Sequence, residues 1–303
     1  MTERKKLTLL CTVIFLAVTG IFFLQEKERR EDTVKIGVSL YQEEDTFVER
    51  ILAGMEEAAK QYERESGKNV ILNVSVAGGS QRVQNEQIKK YVSLGYDALC
   101  VNLVDRTSAS AIIDETLQGK EEIPVVFFNR EPVEEDIHRG ESIYYVGSDA
   151  KQSAVLQGEA VIESFETHPE MDKNGDGILQ YFILEGEMGH QDTIMRSEYS
   201  LQTIEEAGLP LQKLETGTAD WSRSHAAFMT EQWLAVHGDS VELVLCNNDD
   251  MALGALDSLD KAEVKAAVFG IDALLTKYLW KNALMSNRMS TAVQIHWNIA
   301  TPP

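Results

Sequence analysis

Between residues 33 and 272 the chain alternates short apolar runs with longer stretches in which apolar residues recur every three or four positions, and this alternation constrains the fold most. Short β-branched runs bounded by polar residues suit strands buried on both faces, and the longer stretches suit helices that cover them. The segment VKIGVSL (34–40) reads as such a strand, and Phe47, Val48, Ile51, Leu52 and Met55 follow it at helical spacing. NVILNVSV is the next strand, QRVQNEQIKKYVSLG a helix, DALCVNLV (97–104) a strand, SASAIIDETLQGK a helix and IPVVFF (123–128) a strand. A second series starts near YYVGSD and runs through a helix, the strand LQYFILEG (179–186), a helix from about Asp192 to Ala207, the strand LQKLETG and the helix HAAFMTEQWLAVH. The strand VELVLCNNDD (241–250), the helix MALGALDSLDKA and the strand KAAVFGID complete it. The expectation is an α/β protein with two doubly wound parallel sheets and right-handed crossovers. Its domains are residues 1–31 as leader and spacer, 32–146 as a first lobe, 147–293 as a second and 294–303 as a short return segment.

The leader is the run LTLLCTVIFLAVTGIFFL (7–24), uncharged and preceded by TERKK. Positive charge before an apolar run of this length fits an export signal or an N-terminal membrane anchor, so the rest of the chain is expected outside the cytoplasm. An uncleaved anchor is preferred over a signal, because no small-x-small site follows cleanly and Cys11 lies inside the run rather than after a lipobox. The formal net charge of -21 would repel phosphate backbones and anionic head groups, which disfavours nucleic-acid binding. Cys11, Cys100 and Cys246 each sit in an apolar run, as buried free thiols do.

The stretch MDKNGDGILQ (171–180) alternates oxygen-bearing side chains. Asp172, Asn174 and Asp176 occupy positions 1, 3 and 5 of an EF-hand-like loop, Gly177 permits the sharp turn, Ile178 offers a carbonyl and Gln180 stands at position 9. Hard oxygens at this spacing favour Ca²⁺ over Zn²⁺. Position 12 is Ile183 rather than a bidentate Glu, and a strand follows instead of a helix. From the residues alone, a metal loop and a polar Asx-turn both stand.

In open parallel sheets the ligand crevice lies beyond the carboxyl ends of the strands. Several of these ends carry hydrogen-bonding side chains: Asp45 and Phe47 after the first strand, Asn102, the trio His190, Asp192 and Arg196, then Asn248 and Asp272, with Trp221 in GTADWS. Carboxylates, carboxamides and a guanidinium can each engage two adjacent hydroxyls, and aromatic rings can cover the C–H faces of a sugar. A misplaced hydroxyl would leave a buried polar group unpaired, at about 1–3 kcal/mol. Other readings compete. Asp45 can cap the helix that it precedes, Asp192 and Arg196 can be a surface i,i+4 pair, and Trp221 can belong to the core.

Across residues 33–275 the segments LVDRTSAS, PVVFFNREP, YYVGSD, GEMGHQD and NNDDMALGAL resemble, in order, those of the galactose/glucose-binding proteins of bacterial ABC sugar importers. These belong to the type I periplasmic-binding family. The resemblance implies that Asp45, Asn102, His190, Asp192, Arg196, Asn248 and Asp272 hydrogen-bond a hexose, with Phe47 and Trp221 against its two faces. It places the last polar contact at Gln294, in STAVQ, and completes the metal loop with Glu242 from a distant strand. A structural Ca²⁺ remote from the sugar is implied, as are a monomeric receptor and a partner in an ABC permease or chemosensor subunit. The family continues past this strand with segments that return to the first lobe, so the resemblance also implies a first lobe without its closing part.

The residues leave two other functions to consider. A sugar-acting enzyme could use Asp192, Asp272 and His190 as acid and base, but no activated nucleophile or phosphate loop accompanies them. A sugar-responsive repressor would need a basic helix-turn-helix where this chain has its apolar run. A non-transport sugar sensor on the same fold is the remaining alternative.

Overall fold

A computed structural model of the 303-residue chain describes residues 32–43, 45–118 and 122–272, together with the backbone of Ser290–Thr291 and Trp297–Ala300. The run at 7–24, Cys11 and Gln294 lie outside the described residues. The described residues form two compact units, one of residues 32–127 and 132–144, the other of 128–131 and 145–272.

The elements follow the alternation. Strand β1 (Thr33–Leu40) leads to α1 (Thr46–Ser66), β2 (Asn69–Val76), α2 (Gln81–Ser93), β3 (Ala98–Val101), α3 (Ala109–Leu117) and β4 (Val125–Phe128). A short α4 (Glu134–Ile137) and β5 (Ile143–Ser148) come next. The second run is α5 (Ala150–Thr167), β6 (Leu179–Glu185), α6 (Gln191–Glu206), β7 (Leu211–Thr218), α7 (Arg223–His237), β8 (Leu243–Cys246), α8 (Asp249–Lys261) and β9 (Ala267–Phe269). Short strands β10 (Ser290–Thr291) and β11 (Trp297–Ala300) close the described chain. The strand orders are β11-β5-β4-β3-β1-β2 and β10-β9-β8-β6-β7; the described ladders are parallel except for β11 on β5. This is the expected α/β architecture of doubly wound parallel sheets.

Local chemistry sets the boundaries. Helix α1 begins where the Asp45 carboxylate accepts from the Phe47 and Val48 amides, and ends where Gly67 turns left-handed at φ 73°. Two expectations need correction. The strand expected over 97–104 stops at Val101, because the last rung is Asn102 N–H to Ser39 O and the side chain of Gln84 then takes the Asn102 carbonyl and the Val104 amide. The strand expected over 241–250 covers Leu243–Cys246 alone. Asn248 accepts from Met251 N at 2.9 Å as an N-cap, and Asp249 and Asp250 fill the first helical turn, where a helix dipole favours negative charge. The segment YYVGSD, near which the second series was expected to begin, marks the return to the second unit at residue 145, and its strand β5 stands beside β4 in the first sheet.

Both faces of the second sheet are covered, as parallel strands require. Alternate residues of β6 face opposite ways: Phe182 and Leu184 join Val244, Cys246 and Met251 in one core, whereas Tyr181 and Ile183 join Ile204, Leu245 and Phe269 in the other. Each such side chain contributes roughly 1.5–3 kcal/mol on burial. In the first unit Val38, Ile88, Leu99, Val101, Ile112, Val125 and Phe127 are buried. Among the described residues no helix is long and apolar enough to cross a membrane.

Candidate functional site

Within the first unit, Asp45 and Asn102 follow β1 and β3, which are neighbours in the sheet. The two oxygens of Asp45 are divided between tasks. Oδ1 caps α1, and Oδ2 accepts from the Tyr41 hydroxyl at 2.8 Å, itself approached by Gln42 Nε2 at 2.8 Å. The capping role weighed from the sequence is therefore real. Phe47 sits half-buried in the first turn of α1. Asn102 is fully buried, its carbonyl held by Gln84 Nε2 at 2.9 Å.

The second unit gathers six of the expected residues into one network. His190 is the N-cap of α6, its Nδ1 accepting from Asp192 N at 3.1 Å. One turn on, Arg196 donates through Nη2 to Asp192 Oδ2 at 2.8 Å and through Nη1 to Asp272 Oδ1 at 3.1 Å and to Asn247 O at 2.7 Å. Arg196 and Asp192 are each 3% exposed, so the surface-pair reading fails: this is a buried ion pair. Burial opposes the charge on Arg196, but Asp192, Asp272 and Asp249 outweigh it and hold the guanidinium above its ordinary pKa. Burial pushes the Asp192 carboxyl up, with Arg196 pulling the other way.

Trp221 completes the network. Its half-buried ring meets the His190 ring edge-on at 5.1 Å, and the Arg196 guanidinium carbon lies 5.9 Å from its centroid. Asn248 Nδ2 donates to the Trp221 carbonyl at 3.1 Å. The ring also packs against the core around Phe182, so the core reading holds in part. Asp220, Trp221 and Asp272 have φ of 52°, 62° and 113°, conformations that cost a non-glycine residue about 1–3 kcal/mol each and that cluster at functional sites.

The loop before β6 is a second polar centre. Asp172 Oδ1 accepts from Gly175 N (2.7 Å) and Asp176 N (3.2 Å), its Oδ2 from Gly177 N (2.8 Å), and Asp176 Oδ1 from Ile178 N (2.8 Å). Asn174 Oδ1 accepts from Asp176 N, and the amide groups of Asn174 and Gln180 donate to Asp176 Oδ2. Glu242, 1% exposed, reaches the loop from the segment before β8 and accepts from Lys173 N (2.6 Å), Asn174 N (3.3 Å) and Gln180 N (3.2 Å). Asn174, Asp176, Gln180 and Glu242 line a cavity of about 450 Å³ with Lys173, Gln212 and Asp239. Among the described residues no group of three or more His, Cys, Asp or Glu side chains is placed to hold an ion, so an ion here also needs the carboxamides of Asn174 and Gln180 and the Ile178 carbonyl. The whole donor set is oxygen, which suits a hard cation such as Ca²⁺. Lys173 sends its ammonium to the carbonyls of Asp239, Val241 (2.7 Å) and Lys265 (3.0 Å), pinning the starts of β8 and β9.

Residues 36–294 match the family model described as the periplasmic binding protein domain. The chain belongs to the periplasmic binding protein family. The D-galactose/methyl-galactoside binding periplasmic protein MglB of Haemophilus influenzae is 34% identical over 241 residues, covering 79% of this chain and 71% of that protein. A putative rhizopine-binding protein of Rhizobium meliloti is 30% identical over 244 residues, covering 78% and 72%. An ABC transporter solute binding protein from Bacillus halodurans, solved with bound myo-inositol, superposes with a TM-score of 0.69 at 27% identity, covering 89% of this chain and 94% of that one. The family is one of binding proteins and not of enzymes.

Around this network of the periplasmic binding protein stand bracing residues that do not stand out in the sequence. Asn247 accepts from Arg196 through its carbonyl and from Gly186 N through Oδ1 at 3.0 Å; the doublet Asn-Asn at a strand end was its only signal. Arg130 is 6% exposed, pairs with Glu187 and, like Arg196, acts against the burial that raises the Asp192 carboxyl, while Gln191 Nε2 donates to Asn129 O at 2.9 Å. Tyr41 and Gln84 brace Asp45 and Asn102. The structure thus brings together His190, Asp192, Arg196, Trp221, Asn248 and Asp272; Asp45, Phe47 and Asn102 belong to the other unit.

Proposed function

We propose that the protein is an extracytoplasmic receptor for a hexose, D-galactose or D-glucose, that serves an ABC importer or a chemosensor. The observation that carries this reading is the Arg196 guanidinium, buried between Asp192 and Asp272 beside the half-buried ring of Trp221. A fixed cation flanked by carboxylates offers donors and acceptors in a set geometry, and an aromatic face covers C–H groups; together they suit an uncharged polyhydroxylated ring. The similarity to a galactose-binding periplasmic protein supports the hexose, and the leader at 7–24 supports an extracytoplasmic place, held by an uncleaved anchor. Asp45, Phe47, Asn102 and Gln294 complete the sugar contacts in this reading.

The same proposal gives the loop a structural Ca²⁺, held by Asp172, Asn174, Asp176, Gln180, Glu242 and the Ile178 carbonyl. Bound there, the ion supplies positive charge among carboxylates; the loop's own residues already tie the turn to the segment before β8.

Calorimetry on the purified full chain tests the receptor, with D-galactose, D-glucose, methyl galactoside, myo-inositol and ribose as titrants. Heat with galactose or glucose is expected. Heat with myo-inositol or ribose alone would transfer the receptor to another ligand and end the hexose reading. A folded sample silent toward all five would sink the receptor itself.

A further inference from the structure

The indole of Trp221 rests on a residue chosen for its lack of a side chain. Gly186, the first residue after β6, donates its N–H to Asn247 Oδ1 at 3.0 Å, and its Cα lies under the Trp221 ring. A Cβ at position 186 would stand 2.2 Å from Cη2, 2.2 Å from Cζ2 and 2.4 Å from Cε2 of that ring, distances no real pair of carbons tolerates. The neighbouring Gly189 differs in kind. It has φ of 84° and open space around its Cβ position, so backbone conformation alone explains it. Gly186 is absent from the positive-φ glycines, so its backbone would accept an alanine; the indole would not.

The rest of the ring's surroundings fix its height in the same way. Asp220 and Trp221 are consecutive left-handed residues, Asn248 Nδ2 holds the Trp221 carbonyl, and the ring has His190 on its edge and Arg196 nearby. A two-torsion side chain on so constrained a backbone cannot yield a methyl group's width without leaving its contacts.

We infer that Gly186 is a positioning residue that sets the depth of the Trp221 ring, and through it the affinity of the site for its ligand. This rests on the reading of Trp221 as an aromatic cover for a sugar. Any side chain at 186 displaces the indole from the position in which it meets His190 and Arg196, without touching a hydrogen-bonding group.

The test is a double-mutant cycle of Gly186→Ala and Trp221→Ala, read by melting temperature, by tryptophan emission and by D-galactose affinity. Gly186→Ala is expected to lower the melting temperature and shift the emission in the native background, and to do neither once Trp221 is alanine. It should weaken D-galactose binding about tenfold, the size of a lost aromatic contact, and add nothing to the loss in Trp221→Ala. If Gly186→Ala does not fold, recovery of folding in the double variant supports the seat, and failure there overturns it. Equal effects of Gly186→Ala in both backgrounds also overturn it. Should the native protein bind no D-galactose, the hexose reading falls while the melting and emission arms still decide the seat.

Discussion

Arg196 concentrates more consequences than any other described side chain, because it neutralises Asp192 and Asp272 at once while nearly out of reach of water. Replacing it with methionine keeps the volume and strands two carboxylates, which we expect to cost about 3–5 kcal/mol in denaturant titrations at neutral pH. That deficit should shrink on acidification. Burial already raises the Asp192 carboxyl with Arg196 present. In the variant its folded pKa stands further above the unfolded value of about 3.9, so folding takes up a proton. The resulting stability is fully present below the unfolded value and is lost as pH rises through the folded one. A deficit independent of pH would contradict this account. The thiols give a simpler expectation. Burial pushes Cys100 up to about 11 and Cys246 well above the ordinary value, so at pH 8 about one Cys100 in a thousand is thiolate. Mass-spectrometric mapping after alkylation should find both unmodified in the native protein and modified once it is unfolded. Of the site residues, the charged and aromatic ones at strand ends were legible in the sequence, since position after an apolar run marks them. The bracing residues Gln84, Asn247 and Gly186 were not, because amides and glycines in these places look like ordinary helix, strand-end and turn residues until the fold brings their partners near.

At the scale of elements, the loop Asp172–Gln180 ties the turn before β6 to the segment before β8 through Glu242. If the proposed Ca²⁺ binds there, chelator should lower the melting temperature on the order of 5–10 °C at hundredfold saturation, and sugar specificity should stay the same. Glu242→Gln should abolish the chelator response, because the amide nitrogen would face the loop's N–H groups and one carboxylate charge would be gone. An unchanged melt with chelator would remove the ion from the account. Spacing revealed Asp172, Asn174 and Asp176 from the sequence, but Glu242 lies far along the chain and only the resemblance to a known family named it. Element type was legible almost throughout, since apolar period separates strand from helix. The ends were less so: β3 stops early because the Gln84 side chain takes the Asn102 carbonyl and the Val104 amide, and β8 because Asn248 caps the helix that follows it.

For the molecule as a whole, the net charge of -21 allows a discriminating measurement. An uncharged sugar should bind with less than about twofold change in affinity between about 0.05 and 0.5 M salt, because screening acts on charge–charge attraction and not on neutral hydroxyls. A steep salt dependence in calorimetry would point to a charged ligand instead. The two-series α/β plan was readable from alternation, yet the place of β5 was not, because a strand at a series junction carries the same apolar pattern whichever sheet receives it. The parallel ladders carry a further implication. Their inner rungs are apolar, whereas the residues that would recognise a guest stand on the turns and helix starts that follow the strands. Exchanging those turns between relatives should therefore rewrite the menu of accepted molecules while the girders beneath stay as they are.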